Sequence, residues 1–366
     1  MRLSDVRRAV RGALALPARL AHGRSLSAIR RSPSQHPVLS FGGMLKGGRL
    51  LHGGAVKLIH LHDAFPCDEN SFNLLYLVSS AHPAFAEDLS KRCGNLGIPI
   101  VWNQNGVAYR AWAGKDVERY NRPMRRFRAM ANFVIYQSAF CRESAERFLG
   151  PCEAASEIIF NPVDLQKFRP PATPLPTRPL RLLTLGTHGY AQRVLSAIGC
   201  ARVLVDRGID CVLTIAGRLG WFGAVAETRR AIAKLALDKK VTLVPSFTQE
   251  EAAELYRAHH ILLHPKYLDP CPTVVIEALA SGLPVVASNS GGLPELVPSS
   301  CGELIAAPLS WEKLITPRGE QLAAAVEALL ARLPQVARTA RSHAEASFDG
   351  AKWVERHAAI FRRVLG

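Results

Sequence analysis

The sequence predicts two doubly wound α/β domains that face each other across a cleft. Three observations carry that expectation. The chain has 366 residues, more than one hydrophobic core ordinarily organises. Short β-branched runs alternate with helical stretches, the pattern of parallel sheets covered by helices on both faces. Residues 169–179 (RPPATPLPTRP) interrupt the alternation with five prolines, a stiff extended linker. The division expected is a basic tail over 1–36, an N-terminal domain over 37–170, a linker over 171–179, a C-terminal domain over 180–348 and a final helical segment over 349–366.

In the tail, Leu3, Val6, Val10, Ala13 and Leu14 recur at helical spacing among Arg2, Arg7, Arg8 and Arg11. That is a basic amphipathic helix able to lie on an anionic membrane; the alternative is a solvated tail. Pro17 and Arg19 interrupt its apolar stretch, so it does not read as a signal peptide, and no run is long enough to span a bilayer. In the first domain, residues 37–41, 74–80, 98–104, 132–138 and 156–163 read as strands. Between them 81–97, 116–131 and 139–150 read as helices. In the second, the strands are 180–186, 211–217, 241–246, 260–265 and 284–288, with helices starting near Gln192, Phe222, Gln249 and Thr273. The last helix, 350–366, carries Trp353, Val354, Ala358 and Phe361 and is expected to pack back across the first domain. Ligands of such sheets bind beyond the carboxyl ends of the strands.

Charge is the compositional outlier: 46 Lys and Arg against 30 Asp and Glu, a formal +16. That favours anionic partners, unless the arginine excess only reflects genome composition. Nucleic acid is not expected, since no RNA-binding aromatic motif or helix-turn-helix accompanies the charge. Cys67, Cys93, Cys141, Cys152, Cys200, Cys211, Cys271 and Cys301 form no C-x-x-C pair, which fits a reducing cytoplasm. The histidines of 59–65 (IHLHDAF) and 258–265 (AHHILLHP) lack zinc-site spacing. No G-x-S-x-G elbow, P-loop or strand-following G-x-G-x-x-G is present, which argues against ordinary hydrolases, P-loop proteins and dehydrogenases.

The informative stretch is His264 to Val297, HPKYLDPCPTVVIEALASGLPVVASNSGGLPELV. A strand ends at Pro265, and Pro270 and Pro272 stiffen the loop that follows. A helix starts near Thr273, whose hydroxyl is placed to cap it. That helix is apolar except for Glu277. A carboxylate buried there needs a partner, because leaving it unpaired costs several kcal/mol. A ribose diol offers two O–H donors; a structural ion pair with an Arg or Lys is the alternative. The helix N-terminus suits a diphosphate.

This stretch resembles the retaining glycosyltransferases of family 4, which have the GT-B architecture of two Rossmann-like domains. Their signature is an acid, seven residues and a Glu, then a small-residue run and a Gly-Gly-x-x-Glu turn. Here it reads Asp269 and Glu277, then Ala278 to Val286, then Gly291, Gly292 and Glu295, with Asp in place of the commoner first Glu. The loop is similar to a DPCP-type variant, with Thr273 replacing its Asn. The likeness runs over roughly Val38 to Leu365.

The resemblance implies transfer of a sugar from a nucleoside diphosphate sugar, bound as substrate with no further cofactor, to a glycan or lipid-linked acceptor. It implies that Glu277 binds the ribose, that Asp269 contacts the transferred sugar, and that the amides of Thr273, Val274 and Val275 face sugar and phosphate. The usual Arg–Lys clamp after the first strand of this domain is altered: Gly186, Thr187 and His188 stand there, and Arg193 is the best candidate, followed by Arg218 and Lys266. Each is otherwise a surface charge. Gly53 and Gly54 match a Gly-Gly pair near the donor phosphates, or else sit in a loop without a ligand. Where many members have a His lining the sugar site, this chain has Gln104, Asn105 and Gly106. Asn105 is the candidate there, and an amide cannot act as a base. With no D-x-D pair, metal-independent transfer is expected. The implied place of work is the cytoplasm, with the tail holding the protein to the inner face of the plasma membrane. A nucleotide-sugar epimerase of the same fold and a non-catalytic glycan-assembly subunit stay open as alternatives.

Overall fold

The structure, a computed structural model, describes residues 26–45 and 53–366. The amphipathic stretch of the tail therefore lies outside the described residues. Two separate parallel sheets form the frame. The first has five strands in the spatial order Leu39–Ser40, Leu74–Val78, Ile100–Gln104, Phe133–Tyr136 and Ala155–Ile158. The second has six, in the order Val241–Val244, Cys211–Ala216, Leu180–Leu185, Ile261–His264, Val285–Asn289 and Gly302–Ala306. Layered α/β architecture thus holds in both halves.

Strand alternation explains how one apolar run serves two cores. Leu74, Tyr76 and Val78 face one way, and Leu75 and Leu77 the other. The second face is covered by helices Ala86–Asn95, Val117–Met130 and Ala139–Leu149. The first face is covered by helix Gly53–Ala64 and by the last helix, Gly350–Leu365, through Trp353, Ile360 and Phe361. His357 on that last helix is fully buried and meets the Tyr76 hydroxyl at 3.1 Å. This sheet keeps chain order from edge to edge, so its second layer is completed by an element that arrives from the far end of the sequence.

In the second sheet the strand order reverses between the parallel neighbours Leu180–Leu185 and Ile261–His264. Chains leaving adjacent strands at such a switch point part to opposite faces and open a crevice. Gly186 and His264 stand at its two lips. The sixth strand, Gly302–Ala306, and helices Gly319–Leu330 and Leu333–Ser347 complete the domain beyond the elements read from sequence. Among the described residues no helix is long and apolar enough to cross a membrane.

Candidate active site between the two sheets

A cavity of about 710 Å³ lies between the carboxyl ends of the two sheets. Gly54, Lys57, Asn105, Gln137 and Asn161 line it from the first domain; Gly186, His188, Arg193, Arg218, Lys266, Asp269, Thr273 and Val274 line it from the second.

The loop after strand Ile261–His264 carries Asp269 into this cavity. Leu268 takes a left-handed backbone, φ 50°, and its N–H donates to Ser290 Oγ at 3.0 Å. The loop sits directly on the Gly291–Gly292 turn. A Cβ at Gly291 would lie 2.5 Å from the Asp269 carbonyl, and one at Gly292 2.0 Å from the Pro270 carbonyl. Two consecutive glycines are what let the turn pass beneath the loop.

Asp269 is buried between two bases. Its Oδ2 lies 2.9 Å from His264 Nε2 and 2.9 Å from Lys266 Nζ. Burial by itself would raise this carboxyl, but Lys266 and His264 outweigh it and hold Asp269 well below the usual carboxylate range. His264 goes the other way: burial lowers it despite Asp269, and Lys266 and Arg193 add to the fall. The pair is therefore an ionised Asp and a neutral His that donates from Nε2.

Helix Thr273–Ala280 follows. Its N-cap is Pro272 and no side chain caps it, so the expected Thr273 cap is not what the chain uses. Thr273 instead occupies the first helical position. Its N–H and that of Val274 have no intrahelical partner by position, and both residues line the cavity. Val275 differs from expectation: its side chain is in the core and its N–H donates to the Pro272 carbonyl at 3.1 Å. Glu277, one turn on, pairs with no Arg or Lys among the described residues. Its Oε2 accepts from the Tyr256 hydroxyl at 2.9 Å. Burial pushes its carboxyl up to about 7, against smaller opposing effects of Tyr256, Gln249 and Lys167. A carboxylate held so poorly in the free protein has room for better donors.

The cations arrange unequally. Arg193 stacks on the Tyr190 ring, 5.1 Å to the centroid, in the first turn of helix Ala191–Asp206. Burial lowers it and Asp269 counters. Arg218 is exposed at the rim. His188 lines the cavity with its ring tied to the protein. Its Nε2 meets the Ala216 carbonyl at 3.1 Å, and burial lowers its pKa to about 4, so the ring is neutral.

From the first domain, Gly54 is wedged against Ser80, where a Cβ would lie 2.3 Å from Oγ. Gly53 opens helix Gly53–Ala64. Asn105 is committed internally: its Nδ2 donates to Ser80 Oγ at 2.6 Å, and its Oδ1 accepts from Gln137 and from Lys57 Nζ, the latter at 3.3 Å. These bonds make Asn105 part of the cleft wall, where it lines the cavity.

Sequence reading missed Lys57, Gln137 and Asn161, which line this cavity. Lys57 and Gln137 lie in segments with no acid–x7–Glu-like signature, and only their position after strand ends pointed inward. Glu295 was seen as part of a motif without a task. Its carboxylate accepts from the N–H groups of Ala139 (2.6 Å) and Phe140 (3.0 Å), capping a first-domain helix from the second domain. Ser138 Oγ returns the contact by donating to the Pro270 carbonyl at 2.8 Å. Among the described residues no group of three His, Cys, Asp or Glu is placed to hold a metal.

Comparison with known proteins agrees with this geometry. Residues 166–316 match the model of the family described as glycosyl transferases group 1. The chain is 30% identical over 185 residues to the amylovoran biosynthesis glycosyltransferase AmsK of Erwinia amylovora, covering 47% of this chain and 42% of that protein. It is 40% identical over 79 residues to a D-inositol 3-phosphate glycosyltransferase of Mycobacteroides abscessus, covering 20% of this chain and 18% of that one. The matches thus span less than half the length of these relatives. In structure, it superposes on Anabaena HepE crystallised with UDP at TM-score 0.67 and 15% identity, over 85% of this chain and 96% of that one. It also superposes on sucrose-phosphate synthase of Thermosynechococcus elongatus at 0.63 and 19% identity, over 84% and 76%. Residues 166–316 are thus similar to the glycosyl transferases group 1 family, and the chain as a whole has the two-domain GT-B fold.

Proposed function

We propose that the protein transfers a sugar from a nucleoside diphosphate sugar to a glycan or lipid-linked acceptor, with retention at the anomeric carbon. The observation that carries this reading is the single cavity that joins two free helix amides, Arg193, Lys266 and Arg218 to an ionised Asp269. The diphosphate sits at the amides of Thr273 and Val274, where the helix terminus and the cations meet its charge. Glu277 exchanges its Tyr256 contact for the ribose diol. Asp269, held rigid by His264 and Lys266, accepts from hydroxyls of the transferred sugar. The anomeric bond to the distal phosphate oxygen breaks, and the acceptor hydroxyl forms the new one. Among the described residues no free base faces this point, and in this reading the departing phosphate oxygen takes the acceptor proton. The cations present are enough to stabilise the leaving diphosphate without a metal ion.

Two comparisons support the donor: HepE was crystallised with UDP and with UDP-glucose. AmsK, named for amylovoran biosynthesis, supports assembly of a surface polysaccharide. The test is a panel of nucleoside diphosphates and their sugars scored by thermal stabilisation, which rises by mass action with binding. A labelled donor then goes to product analysis. A stabilising donor and an α- or β-linked product of unchanged configuration are expected. Conversion of the donor to its epimer without acceptor would overturn transfer in favour of epimerisation.

A further inference from the structure

Lys57 is the least comfortable charge in the cleft. It is 2% exposed, one turn into helix Gly53–Ala64, and it lines the cavity. Its ammonium has three N–H donors and finds two neutral acceptors, Asn103 Oδ1 at 3.1 Å and Asn105 Oδ1 at 3.3 Å. Among the described residues it has no carboxylate partner, and the stretch 46–52 before its helix contains no Asp or Glu. The two amides are themselves pinned: Gln137 Nε2 donates to both, and Asn103 Nδ2 donates to the Tyr76 hydroxyl at 2.9 Å. They cannot turn away to make room for a protein counter-ion. Burial lowers this lysine to about 8. A buried cation left without an anion is costly, and the cost is recovered when an anion arrives.

A second unmet valence lies in the same wall. Asn161 is 4% exposed, and its Nδ2 donates to the Cys271 carbonyl at 2.7 Å, which fixes the amide orientation. Among the described residues its Oδ1 then finds no partner, and it is buried in the same cavity. It asks for an O–H donor. The donor diphosphate already has Arg193, Lys266, Arg218 and the helix amides on the opposite wall. What the first-domain wall lacks is therefore a group that brings an oxyanion and a hydroxyl together.

We infer that Lys57 and Asn161 form a subsite for an anionic sugar, a hexuronate or a sugar phosphate, with its oxyanion on Lys57 and a hydroxyl donating to Asn161 Oδ1. This rests on the donor reading given above and narrows it to a substrate class. The anionic sugar is either the one transferred or the acceptor, and the two sources are separable by experiment.

In the donor arm, binding of UDP-glucuronate and UDP-glucose is measured by calorimetry on the full chain. In the acceptor arm, glucuronate and glucose 6-phosphate are compared with glucose in the presence of saturating UDP. The expected result is at least a tenfold preference for the anionic compound in one arm, abolished in Lys57→Met, with UDP affinity unchanged. Asn161→Leu should weaken the anionic and neutral sugars alike in the same arm, because it removes the hydroxyl contact alone. Circular dichroism and the melting temperature of both variants establish that they fold; Lys57→Gln serves if the methionine does not. No anion preference in either arm, or a preference that survives loss of Lys57, overturns the inference. So does a Lys57→Met variant that weakens UDP itself, because the lysine then serves the diphosphate. If wild-type protein binds no UDP and no UDP-sugar, it is the donor reading that has failed; intact UDP binding without discrimination sinks the subsite alone.

Discussion

Consider Glu277→Gln titrated with UDP-glucose between pH 6 and 8.5. Both phosphates of that donor are esterified, so it has no group titrating near pH 7. The free protein holds the Glu277 carboxyl at about 7 because it is buried, with the Tyr256 hydroxyl, Gln249 and Lys167 as its polar surroundings. Two ribose hydroxyls need an ionised acceptor. At pH 6 the carboxyl is about nine-tenths protonated, so donor affinity falls roughly tenfold from its high-pH limit, about 1.4 kcal/mol per unit. The glutamine variant loses a charged hydrogen bond, worth about 1.5–3 kcal/mol, and binds roughly 10- to 150-fold more weakly at pH 8. Its profile should be flat. The sign reverses for stability of the free protein. The folded state binds this proton more tightly than the unfolded chain, so the native acid loses stability as pH rises from about 4.5 through 7. Above pH 7 the unliganded glutamine variant should therefore melt higher than wild type. Parallel pH profiles for the two proteins, or equal affinities at pH 8, would refute the ribose assignment.

Other expectations follow from the same geometry. Asp269→Asn removes the charge that His264 and Lys266 hold, and turnover should fall by about a hundredfold or more while UDP affinity changes little, measured as kcat against Kd. Gly292→Ala drives a Cβ into the Pro270 carbonyl and should cost about 3 kcal/mol in chemical denaturation, with donor binding lost. Glu295→Ala strips two N–H groups of their inter-domain acceptor and should cost about 1.5–3 kcal/mol, with faster proteolysis near residues 138–140. Activity should persist in EDTA, measured as product formed per minute; its loss, restored by a divalent ion, would show that the cations named here are not sufficient.

The strands and helices of both domains were legible because β-branched runs and amphipathic stretches alternate cleanly, as 74–80 and 86–95 do. What hid was of three physical kinds. Strand Gly302–Ala306 is short and half polar on its exposed side, so it carries no period-two signal. The orientation of His188 depends on a carbonyl, Ala216, that is 28 positions away, and no local pattern announces it. Val275 shares the motif's spacing, but a helix sends successive residues to different faces, and its own faces the core. Glu277 could be picked out because a carboxylate in an apolar helix is conspicuous, and Asp269 through the acid–x7–Glu spacing of the family it resembles. Lys57 could not: in the sequence it is one lysine among 46 basic residues, and only its burial distinguishes it.

The last helix has a consequence for how the chain is made. The strands of the first sheet are complete at Ile158, but the helix that finishes covering one of its faces begins at Gly350. At roughly 5–20 residues per second, a ribosome takes about 10–40 s to cross that interval. Throughout it, Leu74, Tyr76, Val78 and Phe133 have helix Gly53–Ala64 but not Trp353, Ile360 and Phe361 to cover them, while the downstream domain is synthesised and closes on itself. A tag or truncation at the C-terminus is thus an intervention in the N-terminal core, and nascent chains stalled before Gly350 should be the ones that chaperones retain.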